Sequence, residues 1–236
     1  MQTRSLFRHA LATYLLCGAL AAAWSQPTPI PNDPTAGDAV AAQVAALTHV
    51  ASRPSELKFG GVGVLWLTGI PDRWTVSSFE GVKRWVARGH VAWVDVALAT
   101  RIGVADATAG GTDEAIVAPG AEAHPLNDGV KHVMCLDTFK YMRGLPTGAQ
   151  AIQTLWNRAN HVVVAIWPLG KGVIVFRPLA RPDRITWMAK GERRWIEPDI
   201  ADGGRFLYNL NTLTLATLEN AGSLPAGRRV RERPGN

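Results

Sequence analysis
Cysteine is scarce in this chain. Cys17 and Cys135 are the only two in 236 residues, which excludes a small fold stapled by several disulfides. No apolar run reaches the roughly 18 residues that a transmembrane helix needs. The run from Ala10 to Ala23 (ALATYLLCGALAAA) is uncharged but stops at the polar, proline-broken stretch that begins at Gln26. Neither a fixed-period repeat nor a heptad seam occurs, which sets aside solenoid, propeller and coiled-coil folds. An excess of one charge is also missing from the body of the chain. The formal net charge is +6, but Arg4 and Arg8 sit near the N-terminus, and Arg228, Arg229, Arg231 and Arg233 crowd the other end beside Glu232. What lies between is nearly neutral and lacks the basic face of a nucleic-acid-binding domain.

What is present begins with an export signal. Arg4 and Arg8 form a basic start, the run from Ala10 to Ala23 forms the apolar region, and Ala23-Trp24-Ser25 fits the small-x-small cleavage rule. Residues 1–25 therefore read as a cleavable signal peptide, with a mature chain from Gln26. Leu16 directly before Cys17 does not fit a lipoprotein signal, and Arg4 and Arg8 are too far apart for a twin-arginine signal. The expected route is the general one for unfolded chains, which argues against a cofactor loaded before export; none is expected. Cleavage takes Cys17 away and leaves Cys135 as a single thiol. In an oxidising compartment such a thiol is buried, kept for reactivity or used between chains.

Removal of the signal leaves about 210 residues, enough for one sizeable core. Residues 26–56 read as a proline-rich leader with a short alanine-rich helix, capped by Asp38 and running through Leu47. The core is expected from Leu57, with one α/β domain over residues 57–216 and a basic tail over 217–236. Gly61 to Thr68 (GVGVLWLT) reads as a strand buried on both faces. A helix follows, with Phe79, Val82 and Val86 on one side, Ser77 or Ser78 as cap and Gly89 as stop. Val91 to Ala99 (VAWVDVALA) is a second strand apolar on both faces. This strand, helix, strand order predicts a crossover unit in a mixed, partly parallel sheet. Residues 110–129 read mainly as loop, with Ala115 to Val117 as a short strand and another apolar run at Val133 to Leu136. A helix is expected from Thr147, burying Ala151, Ile152, Leu155, Trp156 and Ala159. His161 to Trp167 and Gly172 to Phe176 flank the Pro168-Leu169-Gly170-Lys171 turn as a central hairpin. A second hairpin around Lys190-Gly191 and a short strand at Phe206 to Leu210 complete the reading.

The residues capable of chemistry fall into a few groups. Cys135 precedes a possible helix (LDTFKYM), His161 opens an apolar strand, and Asp183 or Asp199 lies beyond. A thiolate at a helix N-terminus beside an imidazole is a workable nucleophile. From Cys135 to Phe176 this order resembles transglutaminase-like and papain-like cysteine hydrolases, in which a helix begins at the cysteine and the histidine starts a strand followed by a hairpin. The resemblance implies Cys135 as nucleophile and His161 as base, with Arg177 standing where those families often place an acidic residue. The contrary reading makes Cys135 an inert core residue among Val133, Met134 and Leu136. His124, Asp128 and His132 are spaced by four, but Pro125 and Gly129 oppose the helix that would unite them around a metal, and no metal is expected. Gly60-Gly61-Val62-Gly63 precedes a strand and lacks the lysine of a phosphate loop; its glycines permit close packing. Of nine tryptophans, Trp66, Trp85, Trp93, Trp156 and Trp167 fall in predicted helices and strands. Trp74, Trp187 and Trp195 are left as the candidates for surface contact with a sugar or peptidoglycan, while core packing is the favoured reading of the tryptophans overall. Asp95, inside a buried strand, needs a partner such as Arg101, His90 or a backbone donor.

No catalytic set passes a spacing test, so the expected protein is an exported envelope component, periplasmic or secreted. It would act as a non-enzymatic binding or accessory member of an envelope assembly, with a protein partner, no nucleic acid and no membrane span after cleavage. The alternative is a periplasmic or secreted cysteine hydrolase of peptide or amide bonds using Cys135, His161 and Asp183.

Overall fold
The computed structural model describes residues 34–111, 114–134, 140–156, 158–178 and 203–224. They form an α/β domain around a mixed, ten-stranded sheet. Helix α1 (Pro34–Leu47) leads into β1 (Thr48–Ala51), which pairs in parallel with β2 (Val64–Leu67). The sheet thus begins ahead of Leu57, because the strand after the alanine-rich helix finds the open edge of β2.

Every residue of β2 is buried, as a strand covered on both faces requires. Helix α2 (Val76–Ala87) then crosses to β3 (Val91–Asp95), parallel to β2, in the order the apolar pattern predicts. Its cap is Thr75 rather than Ser77 or Ser78. The Thr75 hydroxyl accepts from the Ser78 amide while the Ser78 hydroxyl accepts from the Thr75 amide, closing a capping box. Phe79, Val82 and Val86 face Leu65, Leu67 and Val94 in the main core.

The predicted hairpin is β9 (Arg158–Leu169) and β10 (Gly172–Arg177), with β10 parallel to β3 and antiparallel to β9. The strand order β1-β2-β3-β10-β9-β8-β5-β6 places the hairpin centrally, where a parallel half meets an antiparallel half. A Cβ on Gly172 would lie 2.1 Å from the Val86 carbonyl oxygen and 2.2 Å from that of His90. Only glycine lets the hairpin seat against the end of α2.

Strands β4 (Ala107–Gly110) and β7 (Lys140–Arg143) pair with each other off this path, and β7 also touches β9. Strands β5 (Glu114–Val117) and β6 (His132–Met134) extend the antiparallel half beyond β8 (Gln150–Leu155). The helix expected from Thr147 is therefore this strand. Its pairing with β9 shifts register between Ala151 and Gln153 and again through Leu155, which breaks the alternation that marks a strand in sequence. Polar Gln153 and Thr154 are also buried, further disguising the pattern.

Helix α3 (Gly203–Asn220) overturns the short strand expected at Phe206 to Leu210. Asn209, Thr214 and Thr217 are modest helix formers, but each has a bonded place. Thr214 and Thr217 hydroxyls donate to carbonyls four residues back, and Asn209 Nδ2 donates to the carbonyls of Leu126 and Asp128. Helix α3 packs on α1 and on the sheet face opposite α2. Gly63 admits it closely, since a Cβ there would stand 2.9 Å from Leu218 Cδ1. Among the described residues no helix is long and apolar enough to cross a membrane.

Candidate functional site
Strands β5 and β6 pair with Ile116 opposite His132 and Glu114 opposite Met134. Residues two apart on a strand share a face, so Glu114 and His132 are diagonal neighbours. His132 Nδ1 donates to Glu114 Oε1 at 2.8 Å. The carboxylate is buried, its side chain 7 % exposed, whereas the imidazole is 50 % exposed. This bond fixes the ring and makes Nε2 the nitrogen through which His132 meets anything in the cleft beside it.

Glu114 also anchors the next part of the site. Its backbone carbonyl accepts from the Trp156 amide at 3.3 Å, which sets Trp156 at the end of β8. Trp156 is 45 % exposed, although the sequence pattern placed it on the buried side of a helix. With Ile116, Val117, Glu122, Val130 and Lys131 it lines an open cleft of about 430 Å³. Glu122 holds the rim turn through a bond from the Gly120 amide. The cleft therefore offers an aromatic side chain, a short apolar wall and polar groups of both signs.

The other sequence candidates have different places. His124 caps the 3-10 turn Pro125–Asn127, its Nδ1 accepting from the Leu126 amide, and burial lowers its pKa to about 4. Asp128 bonds Arg205 of α3. The His124, Asp128, His132 spacing is thus divided among a cap, an ion pair and the cleft. Among the described residues no three His, Cys, Asp or Glu side chains gather to hold a metal.

His161 lies on β9 with its Nδ1 2.6 Å from Asn160 Oδ1 and its ring 4.3 Å from that of Tyr141. Partial desolvation, then the charges of Arg158 and Arg143, lower its pKa. Cys135, Asp183 and Asp199 lie outside the described residues, as do Trp187 and Trp195. The helix expected after Cys135 does not extend through Lys140–Arg143, which is β7.

Trp74, expected at the surface, is 2 % exposed, and its indole N–H donates to the Thr68 carbonyl. Asp95 accepts from the Ala97 amide at 3.0 Å and stands opposite Arg177 in the β3–β10 register. Arg101 instead pairs with Asp72, and His90 stacks on Trp85. The Arg177 guanidinium lies 5.6 Å from the Trp66 ring and 5.5 Å from Trp93. Burial lowers its pKa to about 10, partly offset by Asp95, so it remains charged at neutral pH.

Glu114 is not legible in the sequence. A single acidic residue before an apolar tripeptide carries no signal until the β5–β6 pairing sets it beside His132.

The sequence matches no protein-family model and no curated protein. Among solved structures, similarity is found to an exo-beta-1,4-mannosidase from Opitutaceae bacterium strain TAV5, at 16 % identity and a TM-score of 0.31, covering 72 % of this chain and 25 % of that one. It is also found to a cold-adapted beta-galactosidase from Rahnella sp. R3, at 13 % identity and a TM-score of 0.31, covering 70 % of this chain and 23 % of that one. The chain spans about a quarter of the length of these structures. Likeness this weak carries no argument about activity.

Proposed function
We propose that this chain is an exported envelope protein, periplasmic or secreted, that acts by binding, as an accessory component of an envelope assembly, and that it binds through the His132 cleft. The observation that supports this is the half-exposed Trp156 beside an imidazole whose orientation a buried carboxylate sets. Large aromatic side chains are usually buried for their apolar area. One held at a cleft rim by a backbone bond, next to a pre-oriented polar group, is suited to recognition, because little freedom is lost when a ligand arrives.

Two measurements test the reading. Cell fractionation should find the full-length chain processed and outside the cytoplasm. The processed protein should cosediment with purified envelope material, and Trp156→Ala or His132→Ala should abolish that. An unprocessed cytoplasmic chain, or cosedimentation indifferent to both substitutions, overturns it. The thiol-hydrolase alternative separates in the same preparation, since Cys135→Ser leaves binding intact if the thiol is not a nucleophile. An amide-cleaving activity that Cys135→Ser abolishes would decide for the hydrolase.

A further inference from the structure
We infer that the His132 cleft takes a neutral sugar ring of a glycan; the inference rests on the cleft being the binding site proposed above. A pyranose has two C–H faces and a rim of hydroxyls that both donate and accept. The Trp156 indole, 45 % exposed at the cleft, supplies the flat apolar surface that a C–H face covers. His132, Lys131 and Glu122 line the same cleft and bring donors and acceptors together, which hydroxyl groups need and a purely apolar ligand does not.

The charges exclude two other classes. Lys131 and Glu122 carry opposite signs on one cleft, so no field of a single sign favours a phosphate or a polycation. An extended peptide adding to the sheet edge would need a long open strand, and β6 has three residues. At about 430 Å³, open to solvent, the cleft suits a polar ring that remains partly hydrated better than a ligand buried on all sides.

Calorimetric titration of the processed protein with chitotetraose and with cellotetraose tests this. The controls are inorganic phosphate and the sugar-free peptide Ala-Glu-Lys-Ala. The expected result is saturable binding of at least one oligosaccharide and none of either control. Trp156→Ala should weaken binding about tenfold through the lost apolar contact. Trp156→Phe should recover most of it, with unchanged circular dichroism and thermal midpoint for both variants. His132→Ala serves as the second cleft variant and should also weaken binding. If neither oligosaccharide binds while envelope cosedimentation persists and depends on Trp156, the sugar assignment is overturned and the binding reading stands. Binding of the peptide or phosphate instead overturns the sugar assignment in favour of that class. If neither cosedimentation nor any titration gives binding, both fall.

Discussion

Two carboxylates each meet a nitrogen-bearing side chain on the neighbouring strand of the same sheet, and the two pairs differ in nearly everything else. Asp95 and Arg177 sit at the carboxyl ends of β3 and β10, in the middle of the strand order, 3 % and 2 % exposed. Trp66 and Trp93 flank the guanidinium, and Trp93 donates to Thr214 of α3. Glu114 and His132 sit where the strand order ends, and half of the imidazole reaches solvent. A central pair has a strand on either side and helices over both faces, so its charges must compensate each other. A pair at the end of the order keeps one member in contact with water. The first arrangement sits sealed among strands and helices; the second leaves a bonded imidazole open to solvent.

The two pairs are told apart most strongly by removing the carboxylate's partner from each. Arg177→Ala strands Asp95 in the interior and should cost about 3–5 kcal/mol of unfolding free energy, measured by urea denaturation. His132→Ala acts on a pair that water already reaches and should cost less than about 1 kcal/mol. Similar losses for the two variants would show that the end of the sheet is as sealed as its middle.

A second prediction concerns pH. Burial depresses the His124 pKa to about 4 from 6.5, so between those values the unfolded chain binds the proton that the folded chain refuses. Stability contributed by neutral His124 is therefore full above about pH 6.5 and is lost as pH falls toward 4, by about 3 kcal/mol. His124→Asn keeps a side-chain acceptor for the Leu126 amide and does not titrate, so its advantage in denaturation midpoint over the parent should be largest near pH 4 and shrink as pH rises to about 6.5. No difference in pH slope would mean that the turn opens before the imidazole titrates.

Asn209 gives a smaller effect. Its amide ties α3 to two carbonyls of the turn that leads toward β6. Asn209→Ala should cost about 1–3 kcal/mol and, by loosening residues 126–128, should increase amide hydrogen exchange around the cleft. Asp72→Asn, which breaks an ion pair exposed on both sides, should change stability by less than about 0.5 kcal/mol and leave the cleft untouched.

The parallel half was the readable one. Val64 to Leu67 and Val91 to Val94 are apolar on both faces because neighbours cover both, and Phe79, Val82 and Val86 repeat as a helix on a core must. The antiparallel half was harder to read for reasons that lie in particular residues. Register shifts in β8 set Ile152, Gln153, Thr154 and Leu155 inside together, a spacing that also suits a helix. The asparagine and threonines of α3 obscured its helical pattern because their polar groups are satisfied by carbonyls distant in sequence or one turn back. Trp74 and Trp156 exchanged expected places. Trp74 is buried because the Thr68 carbonyl accepts its N–H, and Trp156 is exposed because β8 ends at Leu155.

Composition and local pattern by themselves determined the α/β class, the crossover unit, the central hairpin and the near-neutral body of the chain. These follow from which residues avoid water and how often they recur, which any short window of sequence records. The cleft was decided only by tertiary structure. Glu114, His132 and Trp156 come from three separate segments, and nothing local to any of them indicates the others. The pairing of β5 with β6 and with β8 brings them together, and the end of the strand order keeps His132 and Trp156 open to water.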